Sequence, residues 1–221
     1  MLQLAPRPWL PVLLDRLQSH LAAEPFPRDA AHDLSHILRV ARLAERLAAE
    51  EGADAEVCVA GALLHDLVYR PKNHAESPHT ARMAAELVPL WCRETPGLEA
   101  KAEAVAAAVA SHSWSGGETP ASLEADVVQD ADRLEAIGAI GIARVFATGA
   151  SFGAGLWHPE DPWAESRELD DKAWSLDHFA RKLVKLAAGM RTRTGRQLAE
   201  GRQATLHAFL DALRAELAPE S

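Results

Sequence analysis

Along most of this chain apolar residues recur every three or four positions, and the intervals are broken by proline, glycine and acidic residues. From Trp9 the spacing predicts a helix to about Ala23, with "EPFPRD" as the loop after it. In "DLSHILRVARLAERLAAEEG", Ile37, Val40, Ala41, Ala44, Leu47 and Ala48 form one apolar face. Asp33 is placed to cap that helix and Gly52 to stop it. "DAEVCVAGALLHDLVYR" predicts a third helix, apolar on nearly every side and therefore central, running through His65 and Asp66 until Pro71 ends it. "SPHTARMAAELVPLW" reads as a helix with Ser77 as cap and Pro78 in its first position, and "GLEAKAEAVAAAVASHS" as another, ended by a loop at 115–120. "SLEADVVQDADRLEAIGAIGIARVF" predicts one long helix from Ser122. The Gly-, Pro- and Trp-rich "ATGASFGAGLWHPEDPW" is a candidate lid, and "SLDHFARKLVKLAAGM" and "GRQLAEGRQATLHAFLDALRAEL" are helical again. No segment alternates with the period of a strand, so the predicted fold is all-α.

Bulk composition narrows the function more than the fold. The 221 residues suffice for one domain with a sizeable core, and 48% hydrophobic with 25% charged residues is ordinary for a globular chain. A net charge of −9 argues against binding a nucleic-acid polymer, yet leaves room for a small phosphorylated ligand in a basic pocket. Cys58 and Cys92 form neither a disulfide framework nor a C-x-x-C pair and are expected to be buried thiols. Pro6, Pro8 and Pro11 interrupt the N-terminal apolar stretch, which fits neither a signal peptide nor a membrane span. The expectation is a cytoplasmic protein without membrane contact, whose alanine-rich helical surface suits a homodimer. Gly149, Gly153 and Gly155 do not make a G-x-x-x-x-G-K phosphate loop.

The chemistry lies where ionisable groups enter apolar stretches. Val57, Val59, Ala60, Ala62, Leu63, Leu64, Leu67 and Val68 leave His65 and Asp66 no obvious wet face. A buried carboxylate must neutralise or meet a cation, either an arginine from another helix or a metal ion shared with imidazole. His36 precedes Val40 by one turn and so lies near the buried face of its helix. In "VVQDADRLEAIG", Asp130 and Asp132 enter a third apolar stretch with Arg133 directly after them. Two residues apart on a helix, the two acids point to nearly opposite sides and do not share one role.

The order "HILRVARLA", "AGALLHDLVY", "VVQDADRLEAIGAIGIARVF" resembles the HD-domain metal-dependent phosphohydrolases, whose signature is His, then His-Asp, then a distant Asp. With "PKNHAESPHTARMAAEL", "SHSWSGG" and "LDHFARKLVKLAAGMRTRTGRQLAEGR", the resemblance covers most of residues 30 to 215 and points to a small stand-alone branch that includes nucleotide pyrophosphatases. It implies a single helical domain over 1–221, with a metal-binding core in 30–150, a lid at 151–175 and C-terminal helices in 176–217. It implies His36, His65, Asp66 and Asp132 as ligands of a divalent ion, be it Mn, Mg, Co, Ni, Fe or Zn, with Asp130 the open alternative to Asp132. Asp66 would also handle the attacking water, and Arg133, Lys182 and His112 would assist at the phosphate. Glu135 stands where an aspartate is more usual.

The implied substrate is a phosphate ester or anhydride of a small nucleotide, including nucleoside triphosphate split to monophosphate and pyrophosphate. Two further readings stay open at this level. One is a di-iron oxygenase on an HD-type scaffold, which needs extra histidines such as His74, His79 and His112. The other is a non-catalytic nucleotide-sensing module.

Overall fold

The computed structural model describes residues 4–113 and 119–218. Among them there is no strand, only an isolated bridge between Gly155 and Trp174, so the fold is all-α. Backbone contacts divide the chain into two compact units, residues 1–132 and 133–221. The loop read at 115–120 lies, as far as residue 118, outside the described residues.

The first unit contains α1 (Leu10–Ala23), α2 (Leu34–Glu51), α3 (Ala55–Leu64), α4 (Thr80–Arg93), α5 (Ala102–Ala110) and most of α6 (Leu123–Glu135). α2 starts and stops where its sequence says. The Asp33 carboxylate accepts the His36 N–H at 2.9 Å, and Gly52, at φ +76°, donates to the Ala48 carbonyl at 2.9 Å. Its buried face is the apolar set named above, with His36 added. α3 is capped by Asp54 and buried from Val57 to Leu64, packing against α2 and α5. Burial pushes the Cys58 thiol on α3 up to about 12, as expected of a free thiol in the core.

Two local expectations fail in this unit. α3 ends at Leu64 rather than at Pro71, so His65 and Asp66 occupy the turn that leaves the helix. The backbone groups beyond Leu64 find partners outside the helix. Arg28 donates to the Asp66 carbonyl at 2.6 Å, His20 bonds the Leu67 carbonyl at 2.8 Å, and Glu24 accepts the Tyr69 N–H at 3.2 Å. Ser77 does not cap α4 either. It opens a 3₁₀ turn, Ser77–His79, in which bonds such as His79 N–H to Glu76 O at 2.9 Å satisfy the backbone locally.

α3 and α6 approach closely because residue 61 is glycine. A Cβ there would stand 3.1 Å from Val128 Cγ2. His65, in the turn just past α3, and Asp132 on α6 each lie four residues beyond this contact, so the close approach places an imidazole beside a carboxylate.

The second unit begins in the last turn of α6 and continues through α7 (Gly138–Ser151) to α8 (Val184–Leu186) and α9 (Arg193–Glu216). The single helix expected from Ser122 is broken. Gly138 takes φ +75°, and Arg202 donates to the Leu134 carbonyl, the acceptor a continuous helix would offer to Gly138. After α7 the irregular stretch is held by its own bonds. Arg167 grips buried Asp177 with two nitrogens at 2.5 and 2.7 Å, while the Gly155 N–H donates to the Ala173 carbonyl and the Gly155 carbonyl accepts the Ser175 N–H, both at 2.9 Å, across the bridge. Phe179–Leu183 forms a π turn where Phe179 is buried against Phe146 and Phe209. α9 is capped by Thr192 and buries Ala199, Leu206 and Leu213, a seam with a spacing of seven. Among the described residues no single helix is long and apolar enough to cross a membrane.

Candidate metal centre

Four of the side chains singled out from the sequence meet in the first unit. His36 comes from the first turn of α2, His65 and Asp66 from the turn after α3, and Asp132 from α6. His36 Nε2 lies 3.8 Å from Asp66 Oδ2 and 3.6 Å from Asp132 Oδ1. His65 Nε2 lies 3.5 Å from Asp66 Oδ2 and 3.8 Å from Asp132 Oδ1. These separations are too long for hydrogen bonds. They approach the roughly 3–3.5 Å expected between neighbouring ligands that each sit about 2.1 Å from one ion. His36, His65 and Asp66 form the tightest group, with ligand atoms all within 4.8 Å of one another, and Asp132 stands at its edge. Asp130 is fully buried two residues earlier, turned about 200° around the helix axis from Asp132.

His65 decides whether an ion fits. Its Nδ1 lies 2.7 Å from the Ala62 carbonyl, and a carbonyl only accepts, so Nδ1 carries the proton. Nε2 is then a lone pair, buried, with no hydrogen-bond partner, beside two carboxylates. A metal ion suits such an atom, and the partner at Nδ1 fixes the ring for it. His112 repeats the device: its Nδ1 donates to the Val109 carbonyl at 2.6 Å, and its ring centroid is 5.0 Å from that of His65. Burial and then His65 hold His112 below its ordinary value, against the opposing pull of Asp132 and Asp66. Burial by itself would raise Asp66. The imidazoles of His65, His32, His36 and His112 outweigh it and hold the carboxyl well below its usual range.

Comparison with known proteins places the chain in a family. Residues 33–137 match the family model of the HD domain. A protein of Bacillus subtilis, YpgQ, described as uncharacterized, is 33% identical over 193 residues, 85% of each chain. The chain belongs to the HD-domain phosphohydrolase superfamily. The crystal structure of B. subtilis YpgQ in complex with ADP superposes with a TM-score of 0.71 at 30% identity, covering 96% of both chains. A Lactobacillus plantarum structure gives 0.72 at 31% identity over 96% of this chain and 98% of the other. An HD-superfamily hydrolase of Bacillus thuringiensis gives 0.67 at 28% identity, over 96% and 97%. Membership makes this HD-domain chain a hydrolase of the metal-dependent phosphohydrolase type, and the His-His-Asp cluster is where a divalent ion can be held.

His74 accepts the Glu76 N–H and meets Phe26 edge-on, and His79 is exposed on its 3₁₀ turn. Arg133 donates to the Gly189 carbonyl at 2.8 Å, and Lys182 belongs to the π turn Phe179–Leu183, both within the second unit.

Sequence reasoning did not single out His32 or Asp29. In the HD-domain fold they form a buried pair, His32 Nδ1 to Asp29 Oδ1 at 2.8 Å, with Tyr69 Oη donating to the other carboxylate oxygen at 3.1 Å. The His32 ring centroid lies 6.0 Å from that of His36. An aspartate three residues before a histidine was the visible trace of this pair in "RDAAHD". Burial raises Asp29, but His32, the Ala31 N–H and Tyr69 together lower it from 3.8 to about 2. A depressed carboxyl contributes stability that is fully present above its unfolded value and is lost as pH falls through the folded one. Urea unfolding is therefore expected to show about 2 kcal/mol of stability disappearing between roughly pH 4 and pH 2 that Asp29→Asn does not lose. Parallel pH profiles for the two proteins would refute this.

Proposed function

We propose that this chain hydrolyses a phosphate ester or anhydride of a small nucleotide, using a divalent ion held by His36, His65, Asp66 and Asp132. The observation that carries the reading is the buried, partnerless His65 Nε2 set between the Asp66 and Asp132 carboxylates. The ADP bound by the B. subtilis relative supports a nucleotide as the substrate. An ion in this site supplies Lewis acidity toward a phosphoryl oxygen and lowers the pKa of a bound water.

The side chains do the rest. Asp66, whose carboxyl is held well below the usual carboxylate range, orients the attacking water by accepting a hydrogen bond from it. His112, locked at Nδ1 by the Val109 carbonyl, directs Nε2 as its functional atom and contacts the phosphate. Charge growing on the phosphoryl oxygens calls for cationic donors, and the family resemblance supports Arg133 and Lys182 in that role. The two imidazoles and two carboxylates come from three helical segments, so their spacing is set by the core before any substrate arrives.

The reaction to test first is nucleoside triphosphate to monophosphate plus pyrophosphate. Purified protein is incubated with nucleoside mono-, di- and triphosphates and each of Mn²⁺, Co²⁺, Mg²⁺ and Zn²⁺, and the products are separated by anion exchange. Release of pyrophosphate or orthophosphate from at least one nucleotide is expected. No release anywhere in that panel would overturn the nucleotide reading.

A further inference from the structure

The turn carrying His65 and Asp66 is tied to its own helix at His65, whose Nδ1 bonds the Ala62 carbonyl, but the Asp66 carbonyl is held from outside. α3 stops at Leu64, and beyond it Leu67 N–H closes only a tight turn onto Leu64 O at 3.1 Å. One guanidinium spans the gap. Arg28 Nη2 donates to the Asp66 carbonyl at 2.6 Å, and Nη1 donates to the His32 carbonyl at 3.1 Å. On its other edge Nε and Nη2 grip Glu24 at 2.6 and 2.9 Å, and the guanidinium carbon lies 5.1 Å from the Tyr69 ring centroid. Both partners are withdrawn from water, their side chains 7% and 8% exposed. Glu24 also accepts the Tyr69 N–H, so the pair grips the chain at both ends of the Asp66–Tyr69 turn.

We infer that Arg28, aimed by Glu24, is a positioning residue that sets the His65–Asp66 turn and the start of α2 at the spacing a metal ion needs. The inference rests on reading His65 and Asp66 as metal ligands. The physical case is the number of groups one planar fork satisfies together. Two carbonyls, from the segments that deliver Asp66 and His36, share a single rigid donor whose aim is fixed by a bidentate carboxylate. Groups outside the ligand set typically change metal affinity by 10–100-fold when removed. A buried ion pair serving only stability would be replaceable by neutral groups of similar volume.

The test uses two variants of the full chain and Mn²⁺ itself as the probe. Arg28→Lys keeps a charge opposite Glu24 but brings one nitrogen where three are used, so it cannot meet both carbonyls. Arg28→Met with Glu24→Gln removes both charges and leaves neither buried alone. Mn²⁺ affinity is measured by calorimetry, next to thermal melts of the metal-free proteins. The expected result is a loss of affinity of about tenfold or more in Arg28→Lys with a melting temperature close to wild type. On any nucleotide that the wild type turns over, kcat is expected to fall while KM stays within about twofold. Wild-type Mn²⁺ affinity in a folded Arg28→Lys protein would overturn the inference, and that arm decides even where the double variant fails to fold. Failure of the wild type to bind Mn²⁺ would instead overturn the metal reading itself.

Discussion

Asp66→Ala is expected to lower kcat by about 10³-fold or more while the protein folds normally. Asp66 combines two tasks that alanine cannot share between other groups. Its Oδ2 lies 3.5 Å from His65 Nε2, and the surrounding imidazoles favour its ionised form. The fold does not depend on that side chain. One fifth of it is exposed, and the bond that anchors the turn runs from Arg28 to the Asp66 carbonyl, which alanine keeps. Circular dichroism and melting curves should therefore match the wild type. Asp66→Asn preserves the shape and loses the charge, so it should be nearly as inactive. Turnover within tenfold of wild type in Asp66→Ala would remove this residue from the mechanism.

The second large effect concerns the metal. After dialysis against a chelator, adding Mn²⁺ at about 100 times its dissociation constant should stabilise the fold by about 2.7 kcal/mol. For a chain of this size that corresponds to a rise of roughly 5–10 °C in melting temperature. His65→Ala should abolish the rise, because it removes the buried lone pair with no other partner. The variant also relieves the cost of burying that atom unsatisfied, so its metal-free form should not melt far below the wild type. A wild-type melting curve indifferent to Mn²⁺, Co²⁺ and Zn²⁺ would sink the metal reading. An equal rise in His65→Ala would move the ion elsewhere.

Much of this was legible from residue order because it depends on local rules. Asp33 and Gly52 bound α2 as cap and stop, and the buried face of that helix follows its 3.6-residue period. The same period separates Asp130 from Asp132, although only the tertiary structure could say which of the two faces the imidazoles. Nothing in the residue order marked Gly61, whose close approach to Val128 appears only once α3 and α6 meet. Arg28 and Glu24 read as loop charges, since nothing in "EPFPRD" reports which carbonyls lie opposite.

Helix boundaries divide along the same line. From Ala55 to Arg70 the sequence holds no proline, and its one glycine, Gly61, sits in the helix interior, so local propensity continued α3 through His65 and Asp66 to Pro71. The helix stops at Leu64 because Arg28, His20 and Glu24, all distant in sequence, take the backbone groups beyond it. The α6–α7 break has the same cause: Arg202 competes for the Leu134 carbonyl where Gly138 tolerates the turn. By itself the sequence determined an all-α chain of the HD type and candidate residues for holding an ion, because periodicity and burial-costly side chains are properties of short segments. The tertiary structure alone decided where those helices end and which carboxylate meets which imidazole, because a backbone carbonyl is indifferent to whether its donor lies four residues away or forty.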